Sequence, residues 1–139
     1  PFAIRTAAEK LEHLLLQHKD REVYLFTKSM GGAVATCAAQ NPELDIKKIV
    51  YVAAPHFRFA KRVPPPVSVV NIYSEADTYQ KLANRVLYFG LGRTVLPKGC
   101  NIEIPGLRHS DFNHDMEIQM GMKKQRLFDF YRTLVTPST

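Results

Sequence analysis

Polar and apolar positions along the chain fall into alternating blocks. Ala7, Ala8, Leu11, Leu14, Leu15 and His18 recur at helical spacing, and Thr6 with Glu9 has the form of a capping box, which predicts an amphipathic helix of about three turns. Lys19 to Glu22 is a short polar connection. Val23 to Phe26 is an apolar, aromatic and β-branched run that reads as a buried strand. Ala33, Val34, Ala35, Ala38 and Ala39 follow it as the face of a helix slim enough to lie close to a sheet, and Asn41-Pro42 ends that helix because the residue before a proline avoids helical angles.

Ile46 to Ala53, with Ile49-Val-Tyr-Val52 at its centre, predicts a strand buried on both faces. Phe57 to Arg62 is short and amphipathic, Pro64 to Pro66 is a polyproline connector, and Val67 to Tyr73 is a third strand. Ser74 to Asp77 forms a polar turn beyond it. Thr78 to Phe89 predicts a helix around Leu82, Val86 and Phe89, broken by Gly90-Leu-Gly92. Cys100 to Ile104 is a short strand, and Leu107 to His114 is the loop that follows Pro105-Gly106. Met116 to Val135 predicts a closing helix, with Gly121 as a kink and Leu127, Phe128, Tyr131, Leu134 and Val135 on one face. Strands alternating with helices imply an α/β fold, with right-handed crossovers and a mostly parallel sheet of about four strands in a three-layer sandwich.

Composition narrows the classes. With 139 residues of which 45% are hydrophobic, the chain forms one domain with a real core, which excludes a disordered chain. No apolar run approaches the roughly 20 residues of a membrane-spanning helix, and the start lacks the basic-then-apolar pattern of a secretory signal, so a cytoplasmic location is expected. The net charge of +6 is spread in pairs such as Lys47-Lys48, Lys61-Arg62 and Lys123-Lys124, which reads as a solvated surface. No nucleic-acid partner is expected, because no recognised reading element accompanies the charge. Cys37 and Cys100 match no metal or redox spacing and read as two buried thiols. His109 to Asp115 contains oxygen and nitrogen ligands, yet nothing elsewhere completes a set, so neither metal nor cofactor is expected. Met116, Met120 and Met122 read as gap-filling core residues.

Chemistry concentrates where the first strand meets its helix, in Thr27-Lys-Ser-Met-Gly31. In parallel α/β sheets active loops gather beyond the carboxyl ends of strands, and Ser29, Asp77 and His109 each lie within a few residues of such an end. A serine hydroxyl needs a base near neutral pKa, which an imidazole supplies, and a carboxylate holds that ring in the right tautomer. Simpler roles compete. Ser29 also suits a helix N-cap and Asp77 a turn; Glu75 competes for the acid and His114 for the base. His13, His18 and His56 read as surface or boundary residues.

The strand, the Ser29 turn and the Ala-rich helix together resemble the nucleophile elbow of α/β-hydrolases of the lipase and esterase kind, with Thr27 in place of the first glycine of G-x-S-x-G and Gly31 at the last. Serine, acid and histidine also follow in that family's order. The resemblance covers most of the chain and implies a strained Ser29 as nucleophile, Asp77 as acid, His109 as base and the amide of Met30 as one oxyanion donor. It implies a small-molecule ester or thioester substrate. It also implies that residues 1–139 form the C-terminal part of the full fold, because only about one helix precedes the elbow. The edge of the Val23 strand is then expected to be met by a missing N-terminal segment or by a second copy in a homo-oligomer.

Overall fold

Helix α1 (Phe2–Leu16) leads into strand β1 (Val23–Lys28), and helix α2 (Gly31–Ala38) returns the chain to strand β2 (Ile46–Val52). After the two-residue strand β3 (His56–Phe57) come strand β4 (Ser68–Tyr73), helix α3 (Thr78–Val86), the two-residue strand β5 (Gly92–Arg93) and strand β6 (Cys100–Glu103). A 3₁₀ turn at His109–Asn113, the hairpin of β7 (Glu117–Met120) and β8 (Lys123–Arg126), and helix α4 (Leu127–Val135) complete it. This computed structural model describes residues 2–57, 62–86, 92–97 and 99–136.

The main sheet has the order β1-β2-β4-β6, and all its neighbours are parallel. Its ladder runs one residue past the carboxyl end of three strands. Ser29 N–H donates to Val52 O, Ala53 N–H to Ile72 O and Ile104 N–H to Tyr73 O, each at 2.9 Å. The segments beyond the strands therefore start from fixed positions.

After an irregularity at Lys47 that shifts the register by one, period-two alternation splits β2 between two cores. Ile46, Ile49 and Tyr51 face Leu15 of α1 and Ala35 and Ala39 of α2; Val50 and Val52 face Val70, Ile72, Leu127 and Tyr131. Each fully buried Ile or Val contributes about 1.5–3 kcal/mol relative to exposure, so a strand buried on both faces anchors all three layers. The close approach of α2 depends on Gly32. A Cβ there would lie 2.7 Å from the Tyr51 ring and 3.0 Å from the Ala54 methyl.

Several expectations are corrected. Helix α1 starts at Phe2, so Thr6 is not its cap; the run before Thr6 already favours a helix, and the face turned inward is Ala8, Leu11 and Leu15, with Leu14 outward. Helix α2 stops at Ala38, ahead of Asn41-Pro42. Pro65-Pro66 lie in a turn with a cis bond instead of an extended connector. The predicted helix over Met116 to Val135 is half hairpin: Met116, Ile118 and Met120 alternate with polar residues, and Gly121 at φ +63° opens a two-residue turn that a kinked helix would not contain. Met122 at that turn is fully exposed and fills no core, whereas Met116 and Met120 pack against it. Cys37 and Cys100 are free thiols but neither is buried: Cys37 is half-buried and Cys100 is exposed. Most of Phe57 to Arg62, together with Phe89 and Gly90, lies outside the described residues.

Candidate active site

Each candidate side chain is positioned by a strand end. Ser29 is the residue after β1, and its φ of +52° places it in the left-handed region that non-glycine residues avoid. Strand pairing through its own N–H and the onset of α2 through its C=O, which accepts Gly32 N–H at 3.1 Å, hold it there. The N-cap position of α2 belongs to Met30, and no side chain caps the helix. Ser29 is therefore not a side-chain N-cap. Its hydroxyl makes no hydrogen bond among the described residues, and neither does the amide of Met30. An acceptor placed over the start of α2 would meet that free N–H and the positive end of the helix.

Thr27, two residues before Ser29, donates its hydroxyl to Val50 O at 2.9 Å, which turns its polar end into the sheet. A Cβ on Gly31 would lie 4.0 Å from the Thr27 Cβ, an ordinary contact. The elbow thus has room at Gly31, and the glycine without room is Gly32.

Asp77 is fully buried, and both carboxylate oxygens are used. Oδ1 accepts the Gln80 N–H at 2.9 Å, capping α3, and Oδ2 accepts Nδ1–H of His109 at 2.8 Å. A buried carboxylate is tolerable only with such partners. That bond fixes the tautomer of His109 and leaves Nε2 as a lone-pair acceptor, with 19% of the side chain exposed. The rivals lie elsewhere: Glu75 is exposed and pairs with Lys81 at 3.2 Å, and His114 is exposed at the end of the 3₁₀ turn. Asp111 fixes the histidine loop by accepting Arg108 N–H at 2.8 Å.

β1 and β6 are three strand spacings apart, about 14 Å, so only a loop that doubles back over the sheet carries His109 towards Ser29. The loop does so. Phe112, three residues after His109, lines the same open groove as Phe26 of β1, and its carbonyl accepts the Tyr131 hydroxyl at 2.9 Å, while the Tyr131 ring packs on Phe26 at 4.7 Å. Lys28, beside Ser29, has its pKa pushed down by burial, an effect partly opposed by the Asp77 charge. Asp77 and His109 are joined directly; Ser29 stands with them at the same sheet end without a hydrogen bond to either.

Three features escaped the sequence reading. Tyr79 packs its ring on His109, with centroids 4.5 Å apart. Gln80 both receives the Asp77 cap and sends its side-chain amide to Ala54 O, a role visible in the D-x-x-Q spacing of Asp77 and Gln80. His56 is a half-buried boundary residue with a specific partner: Asn71 spends its amide hydrogens on Thr94 O and Asn101 Oδ1, so its Oδ1 accepts Nε2–H of His56 at 2.8 Å. Burial pushes the His56 imidazole down to about 4, helped by the charge of Arg93 and opposed by the Asn71 hydrogen bond. His13 and His18 are exposed.

Fold and site together define an α/β protein with a four-stranded parallel sheet and a carboxylate-oriented histidine beyond its carboxyl end. Compared with known proteins, the chain matches no family model, no curated protein and no solved structure. Among the described residues no three His, Cys, Asp or Glu side chains gather as a metal ion requires, and no helix is long and apolar enough to cross a membrane.

Proposed function

We propose that the chain is an α/β-hydrolase-like serine hydrolase that cleaves carboxylic esters or thioesters through an acyl-enzyme on Ser29. The observation that carries this reading is the left-handed Ser29 at a strand-to-helix junction, its hydroxyl without a hydrogen bond among the described residues. The Asp77–His109 pair at the same sheet end supports it, as do parallel strands that place serine, acid and histidine after the first, third and fourth strands of the main sheet. Exposed Tyr79, which packs on His109, and exposed Leu82 and Val86 further along α3 favour a substrate with an apolar portion.

In this mechanism Nε2 of His109 takes the Ser29 proton as Oγ attacks the carbonyl carbon, while Asp77 steadies the imidazolium through Nδ1–H. The oxyanion accepts the Met30 N–H. His109 then protonates the departing alcohol or thiol, and water repeats the sequence to release the acid and free Ser29. One oxyanion donor is worth about 3 kcal/mol of transition-state stabilisation, so a second donor matters. A further segment or a second copy seated on the outer edge of β1 would bring one close to Ser29.

A fluorophosphonate probe tests the reading: labelling is expected in the wild-type chain and in Cys37→Ala and lost in Ser29→Ala. An unlabelled, folded wild-type chain contradicts it.

One observation favours a second reading, a non-catalytic module used for assembly. Among the described residues β1 pairs only with β2, and Phe26 on that edge strand is exposed. Assembly without catalysis predicts a concentration-dependent oligomer in sedimentation and no labelling of Ser29. A monomer with the β1 amides protected from exchange contradicts it.

A further inference from the structure

Helix α3 is built inside out. Gln80 and Asn84 on one side are buried, while Tyr79, Leu82 and Val86 face outward. The predicted apolar face around Leu82 and Val86 is therefore the exposed one. Two of the polar residues that reverse the helix also fix it over the site: Asp77 caps it, and Gln80 ties it to Ala54. Tyr79, two residues after Asp77, exposes 60% of its surface, yet its ring lies against the imidazole of His109 with centroids 4.5 Å apart and planes inclined by 33°. The imidazole is thus held at its Nδ1 edge by a carboxylate and across one face by an aromatic ring.

We propose that Tyr79 is a positioning residue for His109, whose π face keeps the imidazole in the plane set by Asp77 and favours the imidazolium formed when the ring takes the Ser29 proton. This rests on the serine hydrolase reading. A cation within about 6 Å of an aromatic centroid is attracted by the ring quadrupole, and the separation here lies inside that range. The neutral imidazole of the resting enzyme gains only stacking. The attraction is therefore larger in the transition state than in the ground state, and its loss appears in kcat with KM unchanged. Phenylalanine keeps the π face and leucine keeps only apolar bulk, so the two substitutions separate an aromatic role from simple cover.

The test uses the full chain with p-nitrophenyl acetate as substrate and a fluorophosphonate to confirm reaction at Ser29. Tyr79→Phe is expected to keep kcat within about twofold, and Tyr79→Leu to lower it about tenfold with KM within about twofold. The downfield proton resonance of the Nδ1–H between His109 and Asp77 should be sharp in wild type and Tyr79→Phe, and broadened or lost in Tyr79→Leu. Wild-type kcat and an intact resonance in Tyr79→Leu would overturn the inference, and so would a change confined to KM. Because wild-type labelling is read first, an unlabelled Ser29 overturns the hydrolase reading and the inference together. A labelled Ser29 with an unaffected Tyr79→Leu overturns the inference alone.

Discussion

Ser29 and Ala53 are non-glycine residues in the left-handed region, at φ of +52° and +49°, and each is the first residue beyond a strand of the same sheet. Such a conformation costs about 1–2 kcal/mol for a residue with a Cβ, so both turns are maintained by what surrounds them. The surroundings differ. Ala53 is wholly buried and begins a segment of packing contacts: the Ala54 methyl lies against α2, Ala54 O accepts the Gln80 amide, and His56 reaches Asn71. Ser29 is half-buried, and neither its hydroxyl nor the Met30 amide beside it makes a hydrogen bond among the described residues. Backbone strain alone thus marks a place that the fold overdetermines. It points to chemistry only where a reactive group is left unpartnered there.

If the Ser29 turn is the chemical one, its dependence on Asp77 should give the largest effect. Asp77→Asn keeps an oxygen for the α3 cap but loses the carboxylate that fixes the His109 tautomer, and kcat for ester hydrolysis is expected to fall by about 10⁴-fold with the circular dichroism spectrum unchanged. A loss below about tenfold would separate Ser29 from the Asp77–His109 pair.

The Ala53 side should respond to pH through stability. Burial of its ring pushes the half-buried His56 down to about 4 from an ordinary value of 6.5, so below pH 6.5 the unfolded ring binds a proton that the folded ring refuses. Its contribution is fully present above pH 6.5 and is lost as the pH falls towards 4, about 3 kcal/mol in all. Urea unfolding at several pH values should show this slope, and His56→Gln should flatten it.

Packing against that same turn gives the next effect. Gly32→Ala drives a methyl into Tyr51 and Ala54 and should destabilise the chain by about 2 kcal/mol, while Gly31→Ala, with room for its Cβ, should change stability by less than about 1 kcal/mol in either direction. Equal urea midpoints for the two variants would show that α2 does not depend on the Ala54 turn for its seat.

The smallest expected effect returns to the backbone. Ser29→Gly relieves the left-handed strain and should be about 1 kcal/mol more stable than Ser29→Ala in thermal unfolding. No difference between them would mean that the strain at Ser29 is absorbed elsewhere.

The β1–Ser29–α2 unit was legible as strand, turn and small-residue helix because these are local patterns, but β1 is half-buried with Phe26 exposed where the apolar run predicts a buried strand, since it lies at the edge of the sheet among the described residues. Asp77 and His109 stand out in the sequence by their position after strands, and the structure joins these two side chains by a hydrogen bond. The hairpin was not legible because Met116, Ile118 and Met120 span too few residues to display a period of two among good helix formers. Helix α3 misled for a different reason. Its polar face is buried by specific hydrogen bonds to Asp77 and Ala54, which hydrophobic periodicity cannot register, and that same reversal brings Tyr79 onto His109. His56 sits at a boundary, and its bond to Asn71 was not legible because Asn71 lies in a strand of the main sheet, a contact set by sheet order.

The most direct measurement is peptide mapping by mass spectrometry after fluorophosphonate treatment of wild type and His109→Ala. Serine catalysis predicts an adduct on the peptide containing Ser29 alone, with its rate of formation reduced by at least about 10³-fold in His109→Ala. An adduct elsewhere, or one forming on Ser29 at an undiminished rate without His109, would contradict it.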